Sequence, residues 1–260
     1  MQGFALVTGA ATRIGKEIAL GLAAEGINVA IHYSSSEIEA KYVLSEVEKM
    51  KVKACMVKAD LLNDDEIVNL VSRASDQLNE PLNILVNNAS IFEHDNIETV
   101  SMRSWDRHLG SNLKAPLFLI KSFAMQAEKA IHDEKGELLA RANVINIVDQ
   151  RVLKKTPEFL TYSLAKMGLW SLTQTAAQAL APHVRVNAVA PGPTLKGRRQ
   201  SDEHFADQRK NTILERGSDS SEILEAVKFI LKTRSMTGQL ICIDGGQHLV
   251  WKTQDVLGVE

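Results

Sequence analysis

The chain has 260 residues, 45% of them apolar and 24% charged, and a formal net charge of −2, enough length for one large α/β domain with its own core. No basic excess is present to attract nucleic acid or an anionic membrane, and no apolar run reaches the roughly 18–20 residues of a membrane span. The seven histidines, Cys55 and Cys242 match no metal-ligand spacing, and the amino-terminal segment lacks a signal-peptide pattern, so a cytoplasmic protein without a metal is expected.

Short Val- and Ile-rich runs predict strands at 4–7, 27–31, 52–57, 82–86, 144–148, 184–189 and 239–243. Helical periodicity between them predicts helices over 14–25, 37–50, 64–79, 103–130, 160–181 and 219–232. Strict alternation of the two predicts an α/β fold: a single Rossmann-like doubly wound parallel sheet of about seven strands, with helices on both faces. No linker or internal repeat divides the chain, so 1–260 reads as one domain.

The first strand runs into Thr8-Gly9-Ala10-Ala11-Thr12-Arg13-Ile14-Gly15, just before a helix. Gly9 permits a tight turn, the alanines let a diphosphate approach the backbone, and Gly15 allows close helix packing. The helix amino terminus then offers N–H groups and a positive dipole end. An NAD site places an acidic side chain near the end of the second strand. Here His32-Tyr33-Ser34-Ser35-Ser36 precedes the first acid, Glu37. Serine hydroxyls, with Arg13 nearby, suit a 2′-phosphate instead, which points to NADP; the serines also suit helix capping. Asp60, before Leu61, is placed for an adenine amino group or for a strand-end turn.

Tyr162 and Lys166 stand four apart on a predicted helix and share a face. An ammonium beside a phenol lowers the tyrosine pKa and yields a proton donor usable near neutral pH. The segment 191–217 has little apolar periodicity and dense charge, including Lys196, Arg198, Arg199, Asp202, Glu203, Arg209 and Lys210. A loop this long after a strand end reads as a substrate lid.

Over nearly its whole length the chain resembles the short-chain dehydrogenase/reductase family. The motifs are Thr8-Gly9…Gly15, Asn87-Asn88-Ala89, Tyr162-x-x-x-Lys166, Asn187-x-x-x-Pro191-Gly192 and Asp244-Gly245-Gly246. The resemblance implies that Tyr162 is the catalytic acid, that Lys166 holds the nicotinamide ribose and tunes Tyr162, and that Asn112 supports a water-linked proton relay. It implies cofactor contacts from Gly9, Arg13, Ile14, Gly15, Tyr33, Ser34, Ser35, Ser36, Asp60, Leu61, Asn88, Ala89, Lys166, Pro191 and Gly192, and a homotetramer.

Two positions depart from the family pattern. Asp149 stands where a serine is usual, thirteen positions before Tyr162, and Arg13 replaces a glycine of the first turn. Both departures resemble the pteridine reductase branch, as do His32-Tyr33, Asn88-Ala89-Ser90-Ile91-Phe92 and Gly110-Ser111-Asn112. That resemblance implies a pterin stacked on Phe92, with Ser90 and Arg13 near the pterin and cofactor phosphates, and protons managed by Asp149 and Tyr162. As alternatives, Phe92 reads as a core aromatic and Asp149 as a capping carboxylate. An ionised carboxylate cannot donate to a ketone oxygen and repels an alkoxide, so Asp149 suits a substrate with N–H donors or one protonated at nitrogen. The expected function is NADPH-dependent reduction of a dihydropterin or dihydrofolate at a ring C=N bond. The alternatives are a carbonyl reductase such as a 3-oxoacyl carrier-protein reductase, or a non-catalytic dinucleotide-binding protein.

Overall fold

The computed structural model describes residues 3–197 and 200–253; Arg198 and Arg199 of the expected lid lie outside them. The first half of the chain alternates β1 (Phe4–Val7), α1 (Arg13–Ala24), β2 (Asn28–Tyr33), α2 (Glu37–Glu48), β3 (Ala54–Lys58), α3 (Asp64–Leu78) and β4 (Ile84–Asn87). Helices α4 (Met102–Leu109) and α5 (Ala115–Gln126) follow, then a small antiparallel hairpin of β5 (Ile131–His132) and β6 (Leu138–Leu139). The second half runs through β7 (Ala142–Ile147), α6 (Leu160–Leu180), β8 (Val184–Pro191), α7 (Asp202–Lys210), α8 (Ser220–Lys232) and β9 (Leu240–Ile243).

Among the described residues the main sheet has seven strands in the order β3-β2-β1-β4-β7-β8-β9, and every pairing is parallel. The chain therefore starts in the middle, winds outward to β3, and returns to place β4 on the other side of β1. This reversal opens a crevice beyond the carboxyl ends of β1 and β4, where ligands of such sheets bind. Because helices cover both faces, the strands are apolar along their length rather than alternating. One core layer packs α1, α2 and α8 on the sheet through Ile18, Leu22, Val43 and Ile223. The other packs α3, α5 and α6 through Leu70, Leu119, Phe123 and Ala176. Each large side chain so buried contributes roughly 1.5–3 kcal/mol. Asn146, buried in mid-strand, is satisfied by accepting from Asn87 at 2.8 Å and donating to Thr173 Oγ1 at 2.9 Å.

The expected helix over 103–130 is two helices joined by a wide turn, Gly110–Lys114, in which the Ala115 N–H reaches back to the Gly110 carbonyl. Pro116 follows at once and has no N–H to continue an α-helical ladder. After Gln126 the backbone turns extended at Ala127, and the remainder of the expected helix is the approach to the β5–β6 hairpin. The expected lid holds α7, a helix with no buried residue. It carries no apolar stripe to betray it, only end signals: the Ser201 side chain accepts from His204 N–H at 3.0 Å, acids open it and Arg209 and Lys210 close it. Among the described residues no helix is long and apolar enough to cross a membrane.

Candidate active site

At the end of β1 the backbone turns through Gly9, whose φ of 63° lies in the left-handed region. A Cβ on Gly15 would stand 2.2 Å from the Gly9 carbonyl oxygen, so only glycine lets the start of α1 approach this turn. His32 fixes the turn from β2. Its Nδ1 accepts the Gly9 N–H at 2.9 Å, its carbonyl accepts the Ala10 N–H at 2.9 Å, and its Nε2 bonds the Ala59 carbonyl at 3.0 Å. That pattern requires the neutral, Nε2-protonated ring, and burial holds its pKa down at about 4. From β4, the Asn88 and Ala89 N–H groups donate to Thr8 Oγ1 at 2.9 and 3.0 Å, and Asn88 Nδ2 donates to the Thr8 carbonyl at 2.9 Å.

These residues fit an anionic dinucleotide. Thr12 caps α1 without a side-chain bond, and no acid occupies the helix's first turn, so Ile14 and Gly15 sit where the helix dipole is positive and unmatched. Ser34 and Ser35 follow β2, and Ser36 opens α2 without a side-chain cap. Tyr33 is buried, and its carbonyl accepts the Ala59 N–H at 3.0 Å. Asp60 forms the strand-end turn, accepting the Leu62 N–H at 3.0 Å, with Leu61 buried beside it. At the end of β8 the Gly192 N–H donates to the Ile243 carbonyl at 2.9 Å, which ties Pro191 and Gly192 to the end of β9. Arg13 adopts a φ of 56°, the left-handed geometry that explains glycine as the usual residue there. Its guanidinium donates to the carbonyls of Leu195 and Lys196, each at 3.0 Å, and so ties the nucleotide turn to the expected lid.

Across the crevice, α6 presents Tyr162 and Lys166, both buried. The Tyr162 hydroxyl donates to Asp149 Oδ2 at 2.9 Å. Asp149 follows β7 and caps a short turn, accepting the Arg151 N–H at 2.9 Å, with the Arg151 guanidinium 3.6 Å away. The capping and proton-handling readings of Asp149 thus coexist. The expected lowering of the Tyr162 pKa by Lys166 is corrected. Burial, then the charge of Asp149, raise it well above the usual phenol value; Arg151 and the Ser90 hydroxyl pull more weakly the other way. Lys166 donates to the Ile147 carbonyl at 2.8 Å and lies 5.7 Å from the centre of the Tyr162 ring. Burial lowers its own pKa to about 8 against the opposing pull of Asp149.

Asn112, in the wide turn after α4, uses both ends of its amide on one residue: Nδ2 donates to the Ile91 carbonyl at 2.8 Å and Oδ1 accepts the Ile91 N–H at 2.9 Å. It holds the loop that carries Ser90 and Phe92. Phe92 is no core aromatic, being 49% exposed. Its ring stacks on Phe159 at 4.5 Å and meets the Tyr162 ring edge-on at 4.7 Å. The Arg151 guanidinium stands 4.9 Å from the centre of Phe159 and 5.6 Å from that of Phe92. Sequence reasoning missed Phe159 and Arg151. Arg151 lies two residues past Asp149, which is a usable signal; nothing local marks Phe159, which enters α6 at a φ of 57°.

A sheet of this topology with a buried, proton-bearing phenol at its strand ends defines a class, the nucleotide-dependent oxidoreductases. The chain belongs to the short chain dehydrogenase family, whose pattern matches residues 3–206. Among solved structures it is similar to FolM alternative dihydrofolate reductase 1 from Brucella suis in complex with NADP. The two are 42% identical with a TM-score of 0.89, over 97% of each chain. Among curated proteins it is 30% identical over 257 residues to the 3-oxoacyl-(acyl-carrier-protein) reductase FabG of Staphylococcus epidermidis, covering 96% of this chain and 100% of that one. It is 31% identical over 284 residues to pteridine reductase 1 of Leishmania tarentolae, covering 94% and 96%.

Proposed function

We propose that the protein reduces a pterin, as a dihydropterin or dihydrofolate, at a ring C=N bond with NADPH. The observation that carries this reading is the Tyr162 hydroxyl donating to the Asp149 carboxylate at 2.9 Å. A carboxylate in this place accepts from N–H donors and opposes the negative charge that grows on a carbonyl oxygen during its reduction. Pterin reduction places the new proton on nitrogen, so no oxyanion of the substrate has to form beside Asp149, and the phenolate that Tyr162 leaves on giving its proton is reprotonated from solvent. Because its pKa is raised, Tyr162 keeps its proton through neutral pH and has one to hand over. Phe92, half exposed and stacked on Phe159, supplies with it the aromatic surface that a flat ring would meet.

NADPH, when bound, supplies the hydride. Gly9, Ile14, Gly15, Asn88 and Ala89 line its diphosphate and nicotinamide end, Ser34 to Ser36 with Arg13 its 2′-phosphate, and Asp60 and Leu61 its adenine. Lys166, Pro191 and Gly192 hold its ribose and nicotinamide. Asn112 keeps Ser90 and Phe92 in place. Residues 191–217 act as the substrate lid, with Arg209 bonding the Pro193 and Ser218 carbonyls at 3.0 and 2.7 Å at its base. The similarity to dihydrofolate and pteridine reductases supports the pterin reading, and the full-length similarity to FabG supports carbonyl reduction as the second. The working form is a cytoplasmic homotetramer, which light scattering tests by mass. NADPH oxidation by the purified protein, followed with dihydrobiopterin and with acetoacetyl-CoA, separates the two substrates. Turnover of dihydrobiopterin is expected, and turnover of the thioester alone contradicts the proposal.

A further inference from the structure

A buried chain of hydrogen bonds beneath the crevice has no part in that chemistry. His108, in the last turn of α4, is fully enclosed. Its Nε2 lies 3.1 Å from the Glu93 backbone nitrogen and its Nδ1 lies 2.6 Å from the Thr161 hydroxyl. A backbone N–H only donates, so Nε2 is the bare nitrogen, and Nδ1 carries the proton and donates it to Thr161 Oγ1. That hydroxyl donates in turn to Asp95 Oδ2, while Asp95 Oδ1 accepts the Thr161 N–H at 3.1 Å. Every donor and acceptor from Glu93 to Asp95 is thereby assigned. Flipping the tautomer or charging the ring sets two N–H groups against each other at Glu93.

The two ends of this chain adjoin the two rings of the site, because Glu93 follows Phe92 and Thr161 precedes Tyr162. Phe92 is gripped from its other side through Ile91, which Asn112 bonds at both its N–H and its carbonyl. Arg107 holds the Glu93 carboxylate with bonds of 3.1 and 2.9 Å. His108 and Asn112 belong to one continuous piece of backbone, α4 and its wide turn, so one rigid element clamps both neighbours of Phe92.

We propose that His108 is a positioning residue, whose neutral, Nδ1-protonated ring fixes Phe92 against the Tyr162 phenol and so sets how that aromatic pair meets a substrate. The inference rests on the proposed function only for its first test substrate. The imidazole faces Asp95 and Glu93 from the loop after β4, Arg107 and Ser104 from its own helix, and Thr161 and the Tyr162 ring, 6.1 Å between centres, from α6. Burial outweighs Asp95 and Glu93 and holds its pKa below the usual 6.5. The chain is therefore intact at neutral pH, and protonation on acidification removes the acceptor for Glu93.

His108→Phe keeps an enclosed ring and removes both bonds. The expected result is a KM for dihydrobiopterin about tenfold higher, with kcat within about threefold and the NADPH dissociation constant within about twofold of wild type. Thr161→Val, which keeps the imidazole, shifts KM in the same direction. As pH falls below the usual imidazole value of about 6.5 the wild-type KM rises more steeply than that of His108→Phe. An unchanged KM in both folded variants overturns the inference. A nitrogen NMR spectrum of histidine-labelled wild type needs no variant: an Nδ1–H tautomer at His108 supports the inference, and an Nε2–H tautomer overturns it. If wild type reduces acetoacetyl-CoA and leaves dihydrobiopterin untouched, the proposed function fails. The same KM and kcat ratios, read with acetoacetyl-CoA, then decide the His108 assignment separately.

Discussion

In the proposed reaction the chemistry falls to Tyr162 and Lys166, both buried, and to the partly buried Asp149, and burial rather than the lysine charge sets the phenol's behaviour. Replacing Tyr162 by Phe removes the transferable proton, so turnover is expected to fall about a hundredfold with NADPH affinity unchanged; stopped-flow turnover with fluorescence titration of NADPH checks both. Lys166→Ala is expected to weaken NADPH binding as well as turnover, and unchanged NADPH affinity contradicts the ribose-holding role. Phe92→Ala removes a stacking face worth roughly 1 kcal/mol and is expected to raise the pterin KM with little change in kcat. The tyrosine, lysine and aspartate were singled out by the family resemblance, since helical spacing alone marks the tyrosine and lysine only weakly and the aspartate is unusual only against the family pattern. The direction of the tyrosine's shift was not, since it depends on enclosure by Phe92, Arg151 and Asp149, which only the folded chain brings together. Phe159 and His108 were invisible for the same reason: their partners are distant in sequence, as His108 and Thr161 are.

At the scale of elements, β2 carries a stability signal with a definite pH window. His32 is buried neutral with a pKa of about 4, against 6.5 for an exposed histidine. The sign follows from linkage: the unfolded chain binds the extra proton first, so this contribution is fully present above about pH 6.5 and is lost as pH falls toward 4. The whole shift corresponds to about 3 kcal/mol. Urea unfolding from pH 7 to about 5 is expected to show a steeper loss in wild type than in His32→Asn; parallel slopes contradict the assignment. Strand positions were legible from apolar runs, yet β2 and β8 extend further than expected, to Tyr33 and Pro191. His32 reads as polar until its two ring bonds are seen, and α7 has no apolar face to read. The break between α4 and α5 was marked by Gly110 and Pro116, but long apolar periodicity on both sides masked it.

For the molecule as a whole, strict alternation of strand and helix made the parallel sheet legible, and the switch of direction between β1 and β4 follows from starting at the centre. That topology sets the glycine turn after β1, the serines after β2 and Asp149 after β7 all at the carboxyl end of the sheet. With no acid between Ile31 and Ser36, NADPH is expected to be preferred over NADH by at least about tenfold, roughly 1.4 kcal/mol, and equal kcat/KM values contradict the 2′-phosphate site. The choice of substrate was the least legible property, because the expected fold and cofactor end are the same for a pterin and a carbonyl reductase, and only Asp149, Arg13 and Phe92 separate the two readings. The most direct test is the ratio of kcat/KM for dihydrobiopterin to that for acetoacetyl-CoA, measured in wild type and in Asp149→Ser. The serine is expected to lower the pterin value at least about tenfold and to leave or raise the thioester value. A pterin value unchanged by the serine, or a wild type that turns over only the thioester, contradicts the account.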